Sequence, residues 1–290
     1  MTVIEATTRT LKANGATLTY DVRRGGSADA PPLMLIGSPM GAAGFGTLAS
    51  HFPDRTIVTY DPRGAERSTK DDPSSESNPD QHADDLHRII HEVGGPVDLF
   101  ASSGGAVNAL ALVAKHPEDI RTLVAHEPPL ATVLPDSENA KAVVRAMRDT
   151  YQAGGSNAGM AHFMAVTSHR GEFPDDFASQ PAPDPAMFGM PTDDDGTRDD
   201  VMLAQNILGT THYEPDFDAL RNVPTRIVIA TGAESEGEMA NRGGHAVAER
   251  LGQEPVIFPS HHGGFLGGEY GWPGDPDNFA AKLREVLEES

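Results

Sequence analysis

Residues 97–106 read Val97-Asp98-Leu99-Phe100-Ala101-Ser102-Ser103-Gly104-Gly105-Ala106, and the reading of the fold starts there. Val97 to Phe100 is a short apolar run bounded by Gly95-Pro96 and by small residues, the pattern of a strand buried on both faces. Five small residues follow, and a helix-forming stretch runs from Ala106 to Lys115. Strand, tight small-residue turn and helix is the context that lifts a serine hydroxyl clear of a sheet edge. Such a turn strains the residue at its tip, so its neighbours must be small. Ala101 to Gly105 fits small-x-Ser-x-small with Ser103 at the tip, Ala101 standing where the commoner G-x-S-x-G pattern has Gly.

Outward from this turn, apolar runs and amphipathic stretches alternate. Strands are predicted at 33–36, 55–60, 121–125, 226–230 and 255–259, with helices following Gly41, over 82–93 and over 239–251, and a closing helix at 275–289. At this spacing the pattern implies a parallel, doubly wound sheet. The N-terminal β-rich patterns, 3–10 and 16–23, flank Asn14-Gly15, a strong hairpin signal, so the chain opens with an antiparallel pair. Residues 69–80 read as a polar surface loop.

Between 131 and 215 no strand pattern occurs. Helices are expected near 137–153, 156–168 and 198–209, and six of the ten methionines fall in this segment, among them Met147, Met164 and Met187. The domain reading is a core of 1–130 and 216–290 with a helical cap, 131–215, whose Met-rich inner face suits an apolar ligand.

Composition narrows the function. The 290 residues include no cysteine, which excludes disulfides, thiolate metal sites and a Cys nucleophile. A formal charge of −21 argues against nucleic acid and against anionic membrane surfaces. No run approaches the roughly 18 apolar residues of a membrane span, and the N-terminus lacks a secretory signal, so a cytoplasmic location is the default. The expected partner is a small-molecule substrate, with no nucleic acid and no membrane; a homodimer stays open.

A serine hydroxyl needs an adjacent base and a group that orients that base. The strand pattern brings three candidates to the carboxyl ends of the sheet: Ser103, an acid near 234, and His261 or His262. That order, Ser…acid…His, is the one expected of an α/β-hydrolase.

The chain resembles α/β-hydrolase-fold proteins with a helical cap over nearly all of 16–290. Gly37-Ser38-Pro39 is similar to the family's H-G-x-P oxyanion loop, with Ile36 where the His usually stands. Asp61-Pro62-Arg63-Gly64 through Ser68 resembles D-x-R-G-x-G-x-S, with Glu66 replacing the second Gly. His262-Gly263-Gly264-Phe265 resembles the late H-x-x-F motif. The resemblance implies Ser103 as nucleophile, His262 as base, and an oxyanion hole built from backbone N–H groups of Ser38 and Gly104. The family's G-x-x-D acid loop reads Gly232-Ala233-Glu234-Ser235, with Ser at the acid position. Glu234, one residue early and a methylene longer, is favoured as the acid; Glu236 is second, and Glu127, after the strand that follows the elbow, is third.

The expected activity is serine-dependent hydrolysis of a carboxylic ester or lactone on a small to medium apolar substrate, through an acyl-enzyme. Perhydrolase and C–C hydrolase chemistry use the same triad, and a non-catalytic ligand binder on the same fold is the alternative from another class. A serine in the elbow argues against the dehalogenase and epoxide-hydrolase branches, which place Asp there. No cofactor and no metal are expected, and His87 and His116 are read as surface residues.

Overall fold

A computed structural model describes residues 6–26 and 30–289. Nine strands form one sheet among these residues: β1 (Thr7–Ala13), β2 (Ala16–Arg23), β3 (Leu33–Ile36), β4 (Ile57–Asp61), β5 (Thr69–Lys70), β6 (Val97–Ser102), β7 (Ile120–His126), β8 (Arg226–Gly232) and β9 (Val256–Phe258). Their order is β1-β2-β4-β3-β6-β7-β8-β9, with β5 paired to β2. From β4 to β9 every pairing is parallel. β1 and β2 form the expected antiparallel hairpin in register Ala13↔Ala16, with Gly15 at φ +73° in its turn. Residues 3–5 of the first β-rich pattern lie outside the described residues.

The helices are α1 (Gly46–Ser50), α2 (Pro79–Val93), α3 (Gly104–Lys115), α4 (Ser137–Thr167), α5 (Ile207–Thr211), α6 (Phe217–Asn222), α7 (Met239–Leu251) and α8 (Pro276–Glu288). They cover both faces of the sheet. Val97, Leu99 and Ala101 of β6 point into a layer shared with α2, α3 and α7, while Phe100 points the other way, among Phe45, Phe265 and Phe279 near α1 and α8. Burial on both faces is why these strands read as continuous apolar runs rather than alternating ones. α2 starts three residues before the amphipathic pattern becomes visible, because Asn78 and Gln81 close a capping box around Pro79. Gly94, in the left-handed region, ends it.

Segment 131–215 contains no named strand. α4 spans both helices expected at 137–153 and 156–168, and Gly155 (φ +79°, ψ −171°) breaks it between them. The third helix is a single wide turn, Val201–Asn206, continuing into α5. A cluster including Leu134, Val143, Met147, Tyr151, Phe173 and Leu203 gives this segment its own apolar centre. Of the methionines expected on an inner face, Met147 is buried in that cluster, whereas Met164 and Met187 are exposed. The ion pair of Arg242 on α7 with Asp136, which precedes α4, ties the segment to the sheet layers.

The sequence reading lacks β5 and α6. β5 is two residues pairing with the N-terminal end of β2, and α6 is six residues long, both too short for a periodicity to register. Among the described residues, no helix is long and apolar enough to cross a membrane.

Candidate active site

Ser103 follows β6 and precedes α3 at φ +57°, ψ −127°, a strained conformation for a residue with a side chain. Its backbone N–H donates to the His126 carbonyl at 2.9 Å, which locks the turn to β7. The glycines after it are required by close approach. A Cβ on Gly104 would stand 2.5 Å from the Ser38 carbonyl oxygen, and one on Gly105 would stand 2.8 Å from the Cα of Gly37. The elbow is therefore pressed against the loop after β3, which brings Ser38 beside Gly104. Gly104 opens α3, so its N–H has no acceptor within the helix.

Without a histidine at position 36, that loop is braced from β4. Asp61, buried, accepts from the Ala42 N–H at 2.8 Å and pairs with the Arg67 guanidinium at 2.6 Å. Ser68 Oγ donates to the Asp61 carbonyl at 2.7 Å. Arg63 makes two bonds, 2.8 and 2.7 Å, to the buried Asp85 of α2. Glu66 sits at φ +48°, the conformation that a glycine takes at no steric penalty. The Asp61–Ser68 motif thus holds the turn that leads from β3 into α1.

His262 follows β9, and its Nδ1 lies 2.6 Å from Glu127 Oε2. Glu127 directly follows β7, is fully buried, and adopts φ +49°. Its second oxygen, Oε1, accepts from the Gly232 N–H at 2.8 Å, from Ser235 Oγ, and from Asn241 Nδ2 at 3.3 Å. Burial would raise its pKa, but the His262 hydrogen bond, the neighbouring His126 and His262, and Ser235 outweigh burial and hold the carboxyl well below its ordinary range. The ionised carboxylate accepts only, so the His262 proton is on Nδ1 and Nε2 carries the lone pair. For His262 burial acts downward, and the hydrogen bond and charge of Glu127, then Glu238, raise its pKa above the ordinary imidazole value.

The structure brings Glu127, not Glu234 or Glu236, to His262. Glu234 and Glu236 are exposed, and the backbone carbonyls of both accept from Arg170. The carboxylate on His262 is Glu127, ranked last in the sequence. The departure at Ser235 has a physical reason: the residue at the family's acid position donates its hydroxyl to Glu127, and a carboxylate there would face a second buried carboxylate. The missing aspartate was the available signal that the carboxylate facing His262 would come from elsewhere in the chain.

His126, next to Glu127, is completely buried, and burial holds it neutral, down to about 4. Its Nδ1 contacts Ser102 Oγ at 3.2 Å, and its ring lies 5.9 Å from that of His262. His261 stacks on the half-exposed Trp272 with ring centres 4.7 Å apart, consistent with a neighbour at the rim.

A family model described as alpha/beta hydrolase fold matches residues 33–226. The chain belongs to that family and is a hydrolase of the α/β fold. An uncharacterized hydrolase of Bacillus subtilis, YraK, is 30% identical over 263 residues, covering 88% of this chain and 89% of its own length. Among solved structures, a thermophilic esterase from Thermogutta terrifontis superposes with a TM-score of 0.68 at 18% identity, with 98% of both chains covered. The enol-lactonase of Burkholderia xenovorans superposes at 0.66 with 17% identity, covering 97% of this chain and 100% of its own. At these identities the two structures speak to the fold.

Proposed function

We propose that the protein is a serine hydrolase of carboxylic esters or lactones that works through an acyl-enzyme. Ser103 attacks the carbonyl carbon while His262 Nε2 takes the hydroxyl proton. Glu127 holds the imidazole by Nδ1 and stabilises the imidazolium as it forms. The tetrahedral oxyanion is met by the N–H groups of Ser38 and Gly104. Collapse expels the alcohol, which takes the proton from His262; water then attacks the acyl-enzyme by the same route in reverse, and the acid leaves.

The observation that carries this reading is the 2.6 Å contact of His262 with a buried, fully hydrogen-bonded Glu127. A non-catalytic ligand binder drew its support from an acid out of reach of the imidazole, and that support falls away. Segment 131–215 serves as the cap that selects the substrate. Trp272, 47% exposed with its ring 6.5 Å from that of His262, supplies an apolar wall beside the base, in keeping with a small to medium apolar substrate.

The test is turnover of short-chain p-nitrophenyl esters by the wild type and by Ser103→Ala. Turnover that disappears with Ser103 supports the proposal. Undiminished turnover by the Ser103→Ala variant rejects it.

A further inference from the structure

Two histidines meet one buried carboxylate, Asp119, at the opposite end of the sheet from Ser103. His87 and His91 stand four residues apart on α2 and so share a face. Asp119 ends the short turn Pro117–Asp119 that leads into β7, and its side chain is only 5% exposed. His87 Nδ1 lies 2.6 Å from one Asp119 oxygen, and His91 Nε2 lies 3.6 Å from the other. One donor atom from each of His87, His91 and Asp119 falls within 4.8 Å of the other two. His116 stacks flat on His87, ring centres 3.8 Å apart, and holds that ring in place.

We infer that His87, His91 and Asp119 form a binding site for a divalent first-row transition metal ion such as Zn²⁺. Two imidazoles and one carboxylate suit Zn²⁺, Ni²⁺ or Co²⁺ rather than Ca²⁺ or Mg²⁺, which take all-oxygen sets. The spacing fits. Donors bound at 2.0–2.2 Å around a tetrahedral ion stand about 3.4 Å apart, close to the His91–Asp119 separation of 3.6 Å, which is too long for a hydrogen bond. The shorter His87–Asp119 contact is a hydrogen bond whose proton the ion displaces, and the carboxylate turns slightly to admit it. His91, 65% exposed, gives the ion its way in, and solvent water would complete its coordination.

This site lies before β7, whereas Ser103, Glu127 and His262 follow the carboxyl ends of β6, β7 and β9. An ion there staples α2 to the α3–β7 turn without touching the reacting atoms. Among the described residues, two other groups offer three donors as close together: His87 with His116 and Glu118, and His126 with Glu127 and His262. The test must separate all three.

The experiment is calorimetric titration of Zn²⁺ into the untagged chain at neutral pH, with His91→Ala, Glu118→Gln and His262→Ala alongside. His91 is exposed enough that its removal leaves the fold intact. The expected result is one saturable site in the micromolar range, weakened at least tenfold by His91→Ala and changed less than threefold by the other two variants. His91→Ala should also keep wild-type ester turnover. Absence of saturable binding below about 1 mM, unchanged affinity in His91→Ala, or loss of the site in His262→Ala or Glu118→Gln would each overturn the assignment.

Discussion

Glu127→Gln is the substitution from which the most can be worked out. The amide is isosteric with the carboxylate, but its two ends differ. The Oε1 position receives three donors, from Gly232, Ser235 and Asn241, so the amide oxygen must occupy it. That turns the NH₂ toward His262 Nδ1, which must then accept. The imidazole proton moves to Nε2, the atom that has to take the Ser103 proton. The geometry survives and the tautomer is wrong. In a triad of this kind that exchange lowers kcat about 10⁴-fold, or about 5.4 kcal/mol at the transition state. The pH profile gives an independent sign. Activity needs neutral His262, so in the wild type kcat/KM falls as pH drops through a pKa raised by Glu127. With that charge gone, the acid limb of the residual activity moves to lower pH. The assay is kcat/KM on a p-nitrophenyl ester from pH 5 to 9 for wild type, Glu127→Gln and Glu234→Gln, with circular dichroism as the folding control. Retention of more than about a third of wild-type kcat by Glu127→Gln, or a comparable loss in Glu234→Gln, would refute the assignment.

Gly104→Ala drives a Cβ to 2.5 Å from the Ser38 carbonyl oxygen; the oxyanion loop must move, and kcat should fall about 10²–10³-fold, with KM nearly unchanged in steady-state assays. The double variant Glu127→Ala/Ser235→Asp returns the acid to the family's usual position, and its kcat should exceed that of Glu127→Ala alone by at least tenfold; equality of the two would mean that position 235 cannot reach His262. His82 and His126 are both fully buried and held neutral by burial, each down to about 4. Both protonate near 6.5 in the unfolded chain, so the stability present above that pH is lost as pH falls from 6.5 toward 4, by about 1.4 kcal/mol per pH unit for each. Urea midpoints at pH 7.5, 5.5 and 4.5 should therefore decline steadily, and a flat series would contradict the burial argument.

The layered architecture was legible because its strands are buried on both faces and its helices on one, so each declares itself by a different periodicity. The apolar run 33–36 and the helix 239–251 coincide with β3 and α7 residue for residue. The Ser103 turn was legible for a related reason: close backbone approach excludes side chains, and excluded side chains leave glycines in the sequence. Glu127 was harder to see. Its position depends on a left-handed backbone at the end of β7 and on three donors from Gly232, Ser235 and Asn241, residues more than 100 positions away in the chain. Nothing local to Glu127 announces either. Ser235 stands where the family has its acid and instead donates its hydroxyl to Glu127, the carboxylate that faces His262. His87 and His91 carry helical i,i+4 spacing, yet their carboxylate partner comes from the turn between α3 and β7, to which periodicity on α2 is blind. Glu66 shows the opposite case, a residue that breaks the family's glycine pattern and still takes the backbone conformation the glycine would have taken.

The account stands on Ser103 becoming acylated with His262 as its base. The direct measurement is peptide-mapped mass spectrometry after brief exposure to p-nitrophenyl acetate, quenched in acid, on wild type, Ser103→Ala and His262→Ala. The account predicts an acetyl group confined to the wild-type peptide that contains Ser103, and none on either variant. Acetylation of another residue, or of Ser103 equally well without His262, would contradict it.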